Sequence, residues 1–553
     1  MAYIDKPRFH KPANPARTKP PPTDPLLEPS ASVPRLALQT SDKVPADAPP
    51  LQSHAQAGIE MQERASNDDK ERKRQQAEQL VWLDDAKNSL HKSLPLLGVR
   101  VGATQVSALA RNPAVNPHVF RSRKSKHICF DTQGDESMRV LQLGVEDVSA
   151  LPAEAQAAID EVGGTIVPHP VEFDYDYWTV EQVLRAILPA ELEEGAPSAF
   201  AMVGHLAHVN LREEYLAYRY LIGQVILEKT PRVRTVVNKL DSIETEFRVF
   251  AMELLAGVPE YEAEVSESNC LFQLDFRHVY WNSRLHTEHG RLIAQFQPFQ
   301  VLADVMAGVG PFAVPAAKKG AWVLANDLNP SCYESLERNS KRNHVTQHLQ
   351  ATCLDGREFI RQSVLTTWAA SFPGGPSGDE LLSARQKRKE RSAQRRAKEE
   401  GVTEAPATPA PAAPPRPPRR LVDHFVMNLP ATALDFLDAY RGLYTRLASQ
   451  VGADALQAEL NAREKDHEGV EPLPMVHVHC FTKDVENAGR DICQRASAAL
   501  GLAHDERLVP PEGDQGAPPT PELSLHLVRS VAPSKDMYCL TFRLPKSVLF
   551  ASV

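Results

Sequence analysis

Residues 298–343 read PFQVLADVMAGVGPFAVPAAKKGAWVLANDLNPSCYESLERNSKRN, and the fold follows from this stretch. Val301 to Val305 is an apolar run carrying one acid, Asp304, near its end. That is the pattern of a strand buried on both faces in a parallel sheet. The turn Ala307-Gly308-Val309-Gly310-Pro311-Phe312 follows, and then a helical segment. Strand, glycine turn and helix make the opening unit of a doubly wound α/β sheet, with its ligand beyond the carboxyl end of the strand. Gly308 and Gly310 let the backbone approach that ligand closely.

The chemistry of the turn narrows the ligand. A dinucleotide site places G-x-G-x-x-G here, but the third glycine is missing. Pro311-Phe312 stands at the expected helix start, where proline withdraws a backbone donor from a pyrophosphate. The next strand, Trp322 to Ala325, ends in Asn326-Asp327-Leu328-Asn329-Pro330. Asp327 lies 23 residues after Asp304, where a carboxylate accepts both ribose hydroxyls of a nucleoside. A third polar strand end, Asp355-Gly356 in CLDGREF, suits an adenine amino group. Three carboxylate-bearing strand ends in this order point to S-adenosylmethionine.

Downstream, RLVDHFVMNLPATALDFL delivers Asn428-Leu429-Pro430 at a fourth strand end. An amide there offers a donor and an acceptor to a base edge. Ala431 follows where adenine-N6 enzymes carry an aromatic, and no Cys stands beside Pro430 as cytosine-C5 chemistry requires. MVHVHCF (475–481) reads as a fifth strand, with His477, His479 and Cys480 in structural roles. ELSLHLVRSVAP and MYCLTFRLP read as a closing antiparallel pair. Upstream of the sheet, VYWNSRLHTEHGRL (279–292) clusters Arg284, Glu288 and His289. It is not the zinc motif H-E-x-x-H, and no metal is expected.

Composition sets the surroundings. The chain has 553 residues, 42% hydrophobic, and a net charge of −9. That excludes a wholly disordered chain and a globally basic nucleic-acid coat. No stretch approaches the roughly 18 apolar residues of a membrane span, so no membrane is expected. Seven scattered Cys with no C-x-x-C argue for a reducing compartment. Residues 1–85, with twelve Pro in the first fifty, read as a disordered tail. Its basic start resembles a mitochondrial presequence, but prolines interrupt the helix such a signal needs. Residues 86–160 form a small module around Leu96, Val99, Val101, Ile128 and Val140, with a basic cluster at Arg121, Arg123, Lys124 and Lys126. Residues 165–295 form a second unit. In it, ALPAELEEG to LREEYLAYRYLIGQVILEKT reads as helical, with Leu206, Leu211, Leu216, Tyr220 and Ile222 near helical spacing. RVRTVVNKL reads as an alternating strand with Arg232, Arg234 and Lys239 as polar positions. Residues 296–553 carry the sheet, with a disordered insertion at 370–420 and a short one at 504–520. The first holds eight Lys or Arg within 385–400 and then a Pro-Ala tract.

The motifs YWNSRLHTEHGRL, DVMAGVGPFAVPAAKKG, NDLNP, NLPA and VVNKL…FRVFAMELLAG together resemble the tRNA (guanine(37)-N1)-methyltransferases of the eukaryotic and archaeal class I type. The resemblance covers roughly 90–365 and 420–550. It implies a class I methyltransferase sheet at the C-terminus, preceded by an α/β RNA-binding domain and a small N-terminal module that reads the outer corner of the tRNA. It implies a monomer that methylates N1 of guanosine 37 beside the anticodon and begins wybutosine synthesis on phenylalanine tRNA. Location in cytoplasm and nucleus, with a mitochondrial-matrix form besides, comes with the same resemblance. Residue by residue, Glu288 matches the family's proposed base and Arg248 its guanine-contacting arginine. Arg284 is a second candidate for that contact or for a phosphate. Asn428 matches the target-base and cofactor contact. His289, Asp327, Leu328, Asp355 and Gly356 match the cofactor-binding set, beside Asp304, Gly308 and Gly310.

The reaction makes its own demands. Guanine N1 carries a proton and must lose it to attack a sulfonium methyl. A carboxylate serves if burial raises its pKa toward neutrality, and an arginine holds the charge developing at O6. With an acidic chain, tRNA affinity should rest on the local basic patches and fall with salt. Two other readings remain open on the residues alone: a class I methyltransferase acting on another RNA guanine or on protein, and a non-catalytic RNA-binding scaffold.

Overall fold

The computed structural model describes residues 29, 33, 35, 36, 54–122, 126–131, 133–240, 251–374, 417–466, 472–511, 520 and 522–552, with backbone alone for 54–69 and 465–466. Most of the two insertions lies outside the described residues. So do Arg248, Arg123 and Lys124. The chain divides into two compact units, the first comprising 1–200, 207–239 and 253–259 and the second 201–206, 240–252 and 260–553.

In the first unit, strands Leu97–Gly102, Ile128–Phe130, Met138–Gln142 and Thr165–Pro168 make a four-stranded antiparallel sheet. Its own core includes Val99, Val101, Leu141, Leu143 and Ile159. The disordered reading of 1–85 fails over its second half. Residues His54–Ser89 form one helix. It is docked through buried Leu83 and Ala86. Buried Gln79 also donates to the Ala217 carbonyl at 2.8 Å and accepts from the Leu221 amide at 2.9 Å. Composition hid this because a few apolar residues at the helix's end, with the remote hydrogen bonds of Gln79, fix an otherwise polar helix. The helical reading around Leu206 fails as well. Leu206–Val209 is a strand, and the α-helix begins at Arg219 and ends at Lys229. Strand Thr235–Lys239 begins after Arg232 and Arg234, and its residues are buried rather than alternating. Burial lowers the Lys239 ammonium to about 8.

The second unit holds the sheet. Its strands are β1 (Val301–Asp304), β2 (Trp322–Asn326), β3 (Leu349–Thr352), β4 (His424–Met427), β5 (Met475–Thr482), β6 (Ser524–Ala532) and β7 (Lys535–Arg543). The order is β3-β2-β1-β4-β5-β7-β6. β1 to β5 run parallel, and the closing pair is antiparallel, as the sequence suggested. Chain order reverses between β1 and β4, which opens a crevice beyond their carboxyl ends. The helices that matter here are α1 (His286–Gln295), α2 (Ala313–Lys318), α3 (Pro330–Arg342) and α4 (Gly356–Ala370). This unit begins upstream of residue 296, because α1 and the hairpin Glu262–Glu267/Cys270–Asp275 belong to it.

Buried asparagines set the strand ends. Asn326 at the end of β2 donates to the Val305 and Leu354 carbonyls and accepts from the Leu354 amide, tying the ends of β1, β2 and β3 together. Asn339 on α3 accepts from the Gln273 amide of the hairpin at 2.8 Å and donates to the Val309 carbonyl of the glycine turn at 3.0 Å. Each such amide meets backbone groups that would otherwise be buried unpaired, at about 1–3 kcal/mol apiece.

Candidate active site

The crevice is lined from the strand ends. Asp304 is fully buried at the end of β1, and neither carboxylate oxygen has a hydrogen-bond partner among the described residues. Burial, then the neighbouring Asp327, pushes its carboxyl up to about 8, against the opposing charge of His479. In the following turn Gly308 has φ +55° and Gly310 φ +97°. An added Cβ at Gly308 would meet nothing within 4 Å, whereas at Gly310 it would come within 2.7 Å of Leu336 and Val314. Gly310 is therefore a packing glycine, and Gly308 borders open space. Pro311 does not open the helix as expected: Phe312 is the N-cap, and α2 starts at Ala313.

Asp327 accepts from the Gly308 amide at 2.8 Å and from the Asn329 amide at 3.0 Å, joining the turns after β1 and β2. Leu328 beside it is exposed. Asp355 caps α4, accepting from the Arg357 amide at 2.9 Å and the Glu358 amide at 3.3 Å. Gly356 is held close to the Phe436 ring, 3.1 Å from where a Cβ would lie. At the end of β4, Asn428 Oδ1 is buried without a partner among the described residues. Unpaired acceptors thus stand at the ends of two neighbouring strands, β1 and β4. An ammonium and an exocyclic amine, both carried by S-adenosylmethionine, are the donors this pair lacks, so the residues fit that cofactor.

Beside the crevice lies the Glu288 cluster. Glu288 on α1 is buried. Arg291, one turn on, grips it with two bonds, Nε to Oε2 at 2.6 Å and Nη2 to Oε1 at 2.7 Å. His479 Nε2 donates to Oε1 at 2.8 Å. Burial alone would raise this carboxyl, but Arg291 and His479 pull it down to about 2. The expectation of a pKa raised toward neutrality is overturned, because two donors outweigh desolvation. His479 is itself wholly buried. Burial opposes its charge, yet Cys539 and Glu288 carry it up to about 10. Its Nδ1 closes no hydrogen bond among the described residues. Glu288, His479 and Cys539 offer ligand atoms all within 4.8 Å of one another. The guanidinium of Arg291 already occupies the carboxylate.

His289 is bonded through Nδ1 to Glu267 at 2.5 Å. Its ring stands edge-on to Phe312, 4.8 Å between centroids, so it supports the turn after β1. Arg284 is exposed near Arg529. The expected Arg248 lies outside the described residues. Sequence reasoning passed over Arg291 and His479. Arg291 was open to the i,i+3 rule for ion pairs on a helix. His479 was dismissed as structural, and only the pairing of α1 with β5 places it on Glu288.

Strand order, glycine turn and acidic strand ends define a class I methyltransferase that uses S-adenosylmethionine. The family model for the TYW2 N-terminal domain matches residues 180–260, and that for the TRM5/TYW2 methyltransferase domain matches 263–367. The chain is 47% identical over 476 residues to a tRNA (guanine(37)-N(1))-methyltransferase of Coprinopsis cinerea, covering 84% of this chain and 94% of that protein. Trm5b from Pyrococcus abyssi shares the fold at 20% identity and a TM-score of 0.50, covering 81% of this chain and 98% of its own. The complex of aTrm5 with tRNALeu does so at 17% identity and a TM-score of 0.50, covering 81% and 100%. The chain belongs to the TRM5/TYW2 family of tRNA (guanine(37)-N1)-methyltransferases. No helix among the described residues is long and apolar enough to cross a membrane.

Proposed function

We propose that this enzyme transfers a methyl group from S-adenosylmethionine to N1 of guanosine 37 in tRNA, with Glu288 taking the N1 proton. The activity is that named for a relative 47% identical over most of both chains. The observation that supports the role of Glu288 is its place: a buried carboxylate beside the crevice with one acceptor direction on Oε2 unused among the described residues. Bound S-adenosylmethionine supplies an electrophilic methyl group on a sulfonium centre. Asp304 and Asn428 would hold it from β1 and β4, Asp327 and Leu328 its ribose, and Asp355 and Gly356 its adenine. Gly308 leaves the backbone bare beside it.

The chain's own groups act on the nucleobase. The clamp of Arg291 and His479 lowers the basicity of Glu288 but keeps it in the form that can accept a proton. Arg248 is assigned to guanine O6, Asn428 to the base edge and Arg284 to O6 or a phosphate. The guanosine must leave its stack to reach them, at a cost of a few kcal/mol that a single-stranded loop reduces. Residues 86–160 are assigned to the outer corner of tRNA, and the patches at 121–126, Arg232, Arg234 and Lys239 to phosphate contacts. The enzyme is assigned as a monomer in cytoplasm and nucleus with a mitochondrial-matrix form, which imaging of the tagged full chain decides. On phenylalanine tRNA the product would begin wybutosine.

The test is tritiated methyl transfer to unmodified tRNA carrying guanosine or adenosine at position 37, with the labelled nucleotide mapped. Label on guanosine 37 alone is expected; label elsewhere or on protein overturns the assignment. Glu288→Gln should bind cofactor and tRNA but lose at least about a hundredfold in single-turnover rate. A near-normal rate removes Glu288 from the chemistry.

A further inference from the structure

Guanosine N1 exchanges a proton for a methyl group, so each turnover leaves one proton on the enzyme. Glu288, if it is the base, cannot keep it. A carboxylate has about four acceptor directions, two on each oxygen. On Oε1 both are used, by Arg291 Nη2 and His479 Nε2. On Oε2 one is used, by Arg291 Nε. Among the described residues, one direction on Oε2 remains for a proton to enter and leave.

His526 Nε2 stands 3.6 Å from that same Oε2. It projects from β6, the last strand of the sheet, and its side chain is 48% exposed. The neighbours of Glu288 differ in what they can receive. Arg291 has no acceptor. His479 already donates through Nε2, and its other nitrogen is sealed in the core. His526 faces Glu288 and Arg291 from α1, His479 from β5 and, across the ladder, Cys539 on β7. Burial, then Arg291, lowers its pKa from 6.5 against the pull of Glu288. Its ring is therefore neutral near pH 7, with a lone pair to offer.

We propose that His526 is the proton outlet of the site, which rests on the reading of Glu288 as the base. The proton moves from guanine N1 to Glu288 Oε2, then to His526 Nε2. The ring releases its Nδ1 proton to water, so one proton passes from N1 to solvent and Glu288 is ionised again; proton exchange with water at the half-exposed ring then restores the Nδ1–H tautomer for the next turnover. At 3.6 Å the contact is longer than a hydrogen bond. A rotation of this exposed side chain or one bridging water closes it, as in many sites that tighten only around substrate. His526 acts through Glu288 and is a relay, not a catalytic residue.

The test uses the full chain with unmodified tRNA carrying guanosine 37. His526→Gln should keep KM for tRNA and cofactor but lower the multiple-turnover rate by about tenfold to a hundredfold. The wild-type rate should fall as pH drops through the folded pKa of His526, below 6.5, and this acid limb should vanish in the variant. Added imidazole should restore His526→Ala in proportion to its concentration, which a merely structural role would not allow. If Glu288→Gln is crippled while both His526 variants keep rate and acid limb, the outlet is wrong and the base stands. Loss of rate in His526→Ala without imidazole rescue also overturns the outlet. If Glu288→Gln keeps its rate, the base reading fails and the outlet with it.

Discussion

Stripping Glu288 of its arginine should expose what holds this site together. Glu288 sits at about 2 instead of 4.5, and its side chain is 3% exposed. At about 1.4 kcal/mol per pH unit, that displacement is worth roughly 3 kcal/mol, net of the burial that Arg291 and His479 together outweigh. Arg291→Met keeps an unbranched apolar stem and removes both bonds. It should cost up to about 3 kcal/mol at pH 7, the low end of what breaking a buried pair costs. The sign with pH is fixed. A carboxyl lowered in the folded state stabilises fully above about 4.5, and that stability is lost as pH falls toward about 2. The gap between wild type and variant should thus shrink to less than half by about pH 3. Urea unfolding at several pH values measures it. The same substitution in a Glu288→Gln background completes the cycle and should cost much less. An equal cost in both backgrounds, or one independent of pH, refutes the ion pair as the source.

Two further outcomes follow from the strand ends. Asp327→Ala removes the acceptor of the Gly308 and Asn329 amides and should weaken cofactor binding; unchanged affinity by calorimetry refutes it. Gly308→Ala and Gly310→Ala share the strain of positive φ, about 1 kcal/mol. Gly310→Ala should cost a further 1–3 kcal/mol or so, through contact with Leu336 and Val314. Gly308→Ala should instead show its effect in cofactor affinity, because its Cβ enters open space. Equal thermal destabilisation of the two would contradict that division.

Much of the sheet was legible because a parallel strand buried on both faces is written in consecutive residues. Val301–Asp304 announces itself, and so does the acid at each of the strand ends near 304, 327 and 355. Local rules also reached Asp355, since a carboxylate before a helix caps it. They failed where the partner is remote. Nothing near Gln79 shows that Ala217 and Leu221 will receive it. Composition alone makes His54–Ser89 look like part of the tail.

The cofactor turn, the acids at the strand ends and the presence of Glu288 before the sheet are properties of the chain, since each is read from residues a few positions apart; the order of strands is not, because β1 pairs with the remote β4 and β5 with β7. The ionisation of Glu288 is not. It depends on His479, 191 residues away, and on an arginine whose reach matters only once the carboxylate is buried. Electrostatic energy grows as water is excluded, and only the folded arrangement of α1, β5 and the edge strand excludes it.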